Sequence, residues 1–254
     1  MKYNRIIWSY WSGNMDKITK MCIKSWSKYA KGWDIRILDE VSVNDYNIIE
    51  PARYDELSHT TKSDVIRLSL LYQYGGLWMD ASILLTEDLD NWLMEYEYHS
   101  YFGFGDTTGT NKFKRNYIES WFLFVPNVNN NHILAWLQVL NDILDTTPYN
   151  KHVAYTNKCT TNDDYFMLYQ AYCYLVDNDE DFRYHFKLLK QDIYSQSSAK
   201  IVNLLKPLHK INKLVKFTKD CRKAYKYARF PLIYIYLLIV ILIISFCIYR
   251  VTKK

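Results

Sequence analysis

Cysteine is sparse and scattered. The five residues Cys22, Cys159, Cys173, Cys221 and Cys247 are odd in number, and no CxxC pair or Cys/His cluster occurs. That spacing excludes a zinc module and a disulfide framework, so reduced structural thiols are expected. No Asn-x-Ser/Thr sequon is present, which fits a cytosolic domain. The opening stretch MKYNRIIWSYWSG holds no long apolar run, so no signal peptide is expected. Glycine is also scarce, at seven in 254 residues. Basic residues are short where a nucleic-acid-binding fold would need them: residues 1–199 hold 19 Lys and Arg against 26 Asp and Glu. An acidic body argues against such a partner, which requires a basic stripe on the fold itself.

The tail has the reverse shortage. Residues 200–254 carry 13 Lys and Arg and a single acid, Asp220. Within them, residues 230–249 (FPLIYIYLLIVILIISFCIY) are twenty uncharged residues. At about 1.5 Å per residue such a helix spans a hydrocarbon core of about 30 Å. A buried core helix is the competing reading, but core helices seldom stay apolar on every face for this length. Eight Lys and Arg lie in residues 210–229, whereas Arg250, Lys253 and Lys254 lie beyond the run. The larger bias sits on the domain side, so a tail anchor with the domain facing the cytosol is expected. Residues 199–229 place Ile201, Leu204, Leu205, Leu208, Ile211, Val215 and Thr218 at helical spacing, with lysines between them. They read as a basic amphipathic helix on an anionic membrane surface.

What the chain has in excess is aromatic, with 24 Tyr and eight Trp. Most are expected in the core, although such rings also suit stacking on a sugar or a base. Residues 6–11 read as a buried first strand, 16–29 as an amphipathic helix and 33–38 as a second strand. Strand, helix, strand is a βαβ opening and implies a parallel sheet in an α/β fold. A second helix is expected over 62–74, stopped by Gly75–Gly76, with a short strand at 77–79. Further strands are expected at 101–104 and 120–125, helices at 132–144 and 164–176, and a surface loop at 105–116. His132, His152 and His185 have no partner in the sequence and receive no role.

The stretch that carries chemistry is KSDVIRLSLLYQYGGLWMDASILLT, residues 62–86. Asp64 and Arg67 are three apart on a helix and share a face. Gly75 and Gly76 permit a sharp turn and leave room beside the backbone for a ligand. The strand then ends at Asp80, and an extended chain would aim Asp80 and Ser82 the same way. Such a site at the carboxyl end of a sheet suits a diphosphate with Mg²⁺ or Mn²⁺, a pairing that needs few protein carboxylates.

This segment resembles the signature of glycosyltransferases with a DXD motif in a GT-A, Rossmann-like fold. It is most similar to the capsular polysaccharide synthesis family, related to a sugar-transferring family of mannosyltransferases and glucosylating toxins. RIIWSYW (5–11), SDVIRLSLLYQYGGLWMDAS (63–82) and DYFMLYQAY (164–172) carry the match, in order. The resemblance implies a nucleoside-diphosphate-sugar donor, Mn²⁺ or Mg²⁺, and transfer to a glycan, lipid-linked or other acceptor hydroxyl with retention of configuration. It places Ser9, Tyr10 and Trp11 near the nucleobase and Asp64 and Arg67 at the donor's sugar and phosphates. The catalytic pair would be Asp80, on the metal, and Arg67. Ser82 departs from the second Asp of a full DXD motif, which leaves the second metal ligand open. Asp163 or Asp164 could serve, although an Asp before an apolar helix also suits an N-cap. The expected organisation is a glycosyltransferase domain over 1–198, the basic helix over 199–229, a transmembrane helix over 230–249 and a tail over 250–254. The alternative is an inactive, membrane-tethered scaffold or carbohydrate-binding protein that kept the fold.

Overall fold

The computed structural model of the chain describes residues 3–106, 117–146, 167–188 and 214–216. It opens with strand β1 (Ile6–Tyr10), helix α1 (Lys17–Tyr29) and strand β2 (Asp34–Leu38). The α1 helix starts where Asp16 accepts the Thr19 N–H at 2.7 Å, and it buries Ile18, Thr19, Cys22 and Trp26. Helix α2 (His59–Tyr74) begins three residues before the expected 62, because Ser58 caps it by accepting the Thr61 N–H at 3.2 Å. Strand β3 (Gly76–Met79) is buried throughout. Two three-residue strands, β4 (Ile83–Leu85) and β7 (Leu214–Lys216), pair antiparallel. The remaining elements are α3 (Asp90–Leu93), β5 (Phe102–Asp106), β6 (Tyr117–Val125), α4 (Asn131–Asp145), α5 (Met167–Asn178) and α6 (Glu180–Leu188).

The main sheet runs β2-β1-β3-β6-β5. Its first three strands are parallel, but β3–β6 and β5–β6 are antiparallel, so the sheet is mixed rather than parallel throughout. From β1 the chain moves to one neighbour, β2, and then back past β1 to the other, β3. Right-handed crossovers in opposite directions put α1 and α2 on opposite faces of the sheet. They also make the β1/β3 boundary a topological switch point, where a crevice opens at the strands' carboxyl ends.

Two expectations for the C-terminal part change or stay open. Leu214–Lys216 is a strand whose Leu214 is fully buried, not a turn of the helix expected over 199–229. The two-stranded β4–β7 sheet therefore draws on sequence beyond the expected domain limit at 198. Among the described residues, no helix is long and apolar enough to cross a membrane. Residues 230–249 lie outside those described.

The aromatic excess goes to the core, where Trp8, Trp26, Trp78, Trp92 and Trp136 are fully buried. A buried indole needs an acceptor. Trp8 donates to the Gly75 carbonyl (2.9 Å), Trp26 to Ile83 (2.7 Å) and Trp136 to Leu168 (2.8 Å). Gly75 and Gly76 join α2 to β3 with φ of 61° and 93°. A Cβ on Gly76 would lie 2.6 Å from the Ile6 carbonyl oxygen. Gly76→Ala combines that clash with a backbone conformation costly for any L side chain. It should cost about 2–4 kcal/mol and lower the melting temperature by roughly 5–15 °C in a thermal scan.

His132 and His185, without partners in sequence, meet in three dimensions. Their rings lie 5.0 Å apart, with His99 6.4 Å from His185. His132 also lies 3.1 Å from Asp181. Burial lowers the His185 pKa to about 4, reinforced by His132 and His99 and opposed by its hydrogen bond with the Tyr101 backbone and by Asp181. Its folded pKa is thus below the unfolded value of about 6.5. The stability this confers is whole above about pH 6.5 and drains as pH falls towards 4. The loss should amount to a few kcal/mol at most. Melting curves between pH 7 and 4.5 should show this slope, and His185→Gln should flatten it.

Candidate active site

The sheet's carboxyl edge brings together residues far apart in sequence. Arg67, only 4% exposed, points from α2 towards the end of β3. Its Nη1 donates to Asp64 Oδ1 at 2.6 Å and its Nη2 to Asp80 Oδ1 at 3.2 Å. The guanidinium lies over the Trp78 ring, 4.8 Å from its centroid, while the Trp78 indole donates to Asp80 Oδ1 at 3.0 Å. One cation therefore ties the helix to the strand end, and one indole both supports that cation and fixes the Asp80 carboxylate. The i, i+3 spacing on α2 makes the Asp64 contact, and the end of β3 supplies the other.

A second group, not singled out from sequence, lies beside it. Strand β6 runs past the end of β3, with Met79 opposite Phe122 and the Asp80 N–H bonded to the Trp121 carbonyl at 2.9 Å. The overhang carries Glu119, 6% exposed, and Ser120. The Tyr169 hydroxyl on α5 lies 3.2 Å from Glu119 Oε2 and 3.1 Å from Ser120 Oγ. Burial first, and the Glu119 charge second, raise the Tyr169 pKa well above its usual value, so the phenol stays protonated and donates to Glu119. Asp64 and Arg67 also act electrostatically on this phenol, which places the two groups side by side. A Glu inside the largely apolar strand YIESWFLFV was the available signal, since Glu is rarely buried without a reason.

Ser9, Tyr10 and Trp11 leave the same sheet edge on the neighbouring strand, since Trp8 pairs with Trp78. Ser9 is fully buried and its hydroxyl finds no hydrogen-bond partner among the described residues. Burial, followed by Glu40 and Asp39, raises the Tyr10 phenol pKa. The Tyr54 phenol is raised too, by burial and then by Glu50 and Tyr10. Lys62, from the first turns of α2, lies over the Tyr54 ring at 5.0 Å. Aromatic and charged groups thus border the β1 end of the crevice.

Several expected site residues are placed elsewhere. Gly75 and Gly76 stand at the opposite end of β3 from Asp80, about 13 Å away at 3.3 Å per residue. They pack on the Val125 and Ile6 carbonyls, so the room that a missing Cβ leaves is filled by backbone. Ser82 does not follow Asp80 in an extended chain: Ile83 N–H bonds the Asp80 carbonyl at 3.0 Å and closes a turn, with Ser82 5% exposed. The alternation that would aim both side chains one way is absent there. Asp163 and Asp164 lie outside the described residues.

The residues fit a divalent cation by charge. Among the described residues, Asp64 and Asp80 bring two carboxyl groups to the Arg67 guanidinium, with Glu119 a third nearby. A diphosphate brought against these carboxyl groups would be repelled by them, an effect that an accompanying cation relieves. No group of three or more His, Cys, Asp or Glu among the described residues could hold a metal by itself.

A mixed α/β domain with an acidic, arginine-tied crevice at a switch point defines a class of ligand-binding folds. The chain is similar to several glycosyltransferases. The glycosyltransferase afumC of Aspergillus fumigatus is 28% identical over 103 residues, 34% of this chain and 26% of that protein. The O-glycosyltransferase PaGT of Phomopsis amygdali is 33% identical over 102 residues, 34% of this chain and 25% of that protein. The matched stretch is thus about a quarter of each relative's length. Among solved structures, PaToxG glycosyltransferase aligns with a TM-score of 0.45 at 15% identity, covering 74% of this chain and 77% of that one. A glycosyltransferase involved in the glycosylation of the major capsid of PBCV-1 aligns with a TM-score of 0.36 at 13% identity, covering 59% and 74%. The family model described as capsular polysaccharide synthesis protein matches residues 1–229, and the chain belongs to that family.

Proposed function

We propose that this protein is a metal-dependent glycosyltransferase of GT-A type that moves a sugar from a nucleoside-diphosphate sugar to an acceptor hydroxyl. The observation that carries the proposal is the joining of Asp64 and Asp80 through buried Arg67 at the strand ends, with Glu119 alongside. Asp80, together with the donor's diphosphate oxygens, would hold Mn²⁺ or Mg²⁺, and the ion would supply Lewis-acid stabilisation of the leaving group. Arg67 fixes both aspartates and contributes positive potential where charge develops on that group. Asp64 would accept hydrogen bonds from the donor sugar. Trp11, at the end of β1, offers a ring beside the base. Retention of configuration and a glycan or lipid-linked acceptor follow the family resemblance. Residues 230–249 would anchor the enzyme to a membrane with the domain on the cytosolic side.

The test is donor hydrolysis by the full chain with a panel of nucleotide sugars, with Mn²⁺, Mg²⁺ or chelator. Truncation at 199 is unsuitable, because it removes the strand that pairs with β4. Release of one nucleoside diphosphate only with metal supports the reading. Absence of both hydrolysis and metal-dependent nucleotide binding would sink it. A tethered, inactive scaffold is the second reading, favoured by Ser82 being buried in a turn where a DXD motif would offer a second carboxylate.

A further inference from the structure

The described surface carries one strongly basic feature that the proposed chemistry does not use. Lys17, Lys20, Lys24 and Lys28 lie on α1, with Lys31 just beyond it, and all five are exposed. At 100° per residue the four helical lysines fall within an arc of about 80°, opposite buried Cys22 and Trp26. None of the five forms an ion pair with a described residue. Met21, 37% exposed, sits in the same stripe. Beside it α1 and β4 enclose an apolar groove of about 380 Å³, floored by Met21, Tyr29, Leu84 and Leu85 with Lys24 and Lys28 at its rim.

The surroundings of this stripe indicate its partner. Outside these five lysines, residues 1–199 hold 14 Lys and Arg against 26 Asp and Glu, so the stripe is a basic face on an acidic body. The groove is built on β4, and β4 pairs with β7. From Lys216 at the end of β7, thirteen residues with five Lys and Arg and one Asp lead to the uncharged run at 230–249. Thirteen residues reach at most about 45 Å. Whatever bilayer takes up that run is held near the α1/β4 face.

We propose that α1 and the adjoining groove are a docking surface for an anionic lipid bilayer, with the lysines on headgroup phosphates and Met21 and the groove at the apolar boundary. The arrangement fixes the domain's orientation: the acidic remainder turns away from the negative surface, and α2 faces the aqueous side. The proposal adds an orientation to the anchored reading of residues 230–249 and is separable from it by experiment.

The test uses the full chain in nanodiscs of phosphatidylcholine alone or with about one-third phosphatidylserine. Lysines are acetylated with an amine-reactive ester and read by mass spectrometry, with Lys62 on the opposite face as reference. Lys20, Lys24 and Lys28 should be labelled about fivefold less, relative to Lys62, in anionic discs, and salt near 0.5 M should restore the labelling. In the triple variant K20E/K24E/K28E the protection of Lys17 and Lys31 should disappear. Equal labelling of the stripe in neutral and anionic discs would overturn the proposal. If alkaline carbonate strips the chain from membranes, the anchor fails instead. Flotation with phosphatidylserine vesicles then reads the surface alone: wild type floating and the triple variant not floating supports it, and wild type failing to float overturns it.

Discussion

Asp80→Asn should lower the turnover of donor hydrolysis by about 10³-fold or more while leaving the fold intact. Asn keeps the shape of the carboxylate, and its Oδ1 can still accept from the Arg67 guanidinium and the Trp78 indole, two contacts that hold Asp80. What it removes is a negative charge and a hard anionic ligand. Hydrogen bonding is therefore kept while the chemistry is lost, and thermal melting should move by only about 2–3 °C. Charge balance also predicts the sign of the binding change. Metal-dependent binding of nucleoside diphosphate should weaken, because an ion shared with phosphates loses its protein carboxylate. Metal-independent binding should strengthen, because one repulsive charge is gone. Turnover within tenfold of wild type, with nucleotide binding still metal-dependent, would place the reaction centre away from Asp80.

The site was legible in sequence where its geometry is local. Asp64 and Arg67 are one helical turn apart, and Asp80 ends a strand that follows a double-glycine stop. Those relations survive in the structure because they depend on a single element each. Glu119 and Tyr169 meet across fifty residues, through the overhang of β6 and the placement of α5, and no local period encodes that contact. The glycines were legible as a turn but not as to which end of β3 they occupy relative to the crevice. Ser82 depended on an extended chain that the Asp80–Ile83 turn interrupts.

Among the elements, α1, α2 and β1–β3 follow from periodicity and capping. The antiparallel β5–β6 pair could have been foreseen, because the ten residues between Asp106 and Tyr117 are too few for a parallel crossover. Strands β4 and β7 are three residues each, too short to show alternation. β7 also lies inside a stretch whose apolar residues recur at helical spacing, so tertiary pairing overrides the local pattern there.

Arg67→Met is expected to destabilise the protein more than any other single change in the crevice. Met fills a similar length of apolar space, so the variant chiefly removes charge and hydrogen bonds. Asp64, whose side chain is 13% exposed, and Asp80, at 27%, then lose the cation that joins them. Breaking a buried ion pair on one side costs about 3–5 kcal/mol, which corresponds to a fall in melting temperature of roughly 6–20 °C for a domain of this size. Adding Asp64→Asn to Arg67→Met should recover part of that loss, since it removes one of the stranded charges, but should recover no activity. The double variant thereby separates a residue that only holds the fold from one that also serves the reaction. Arg67→Lys should fall between these, because a single ammonium cannot present two nitrogens to two carboxylates at once. Removing the guanidinium also leaves the crevice more negative. Mn²⁺ should therefore bind the donor-free Arg67→Met protein more tightly than wild type, while the nucleotide sugar binds more weakly. If the two affinities fall together, the carboxyl groups that Arg67 joins do not take part in holding the metal. If both are unchanged, Arg67 is a packing residue, and the link between Asp64 and Asp80 has no part in donor recognition.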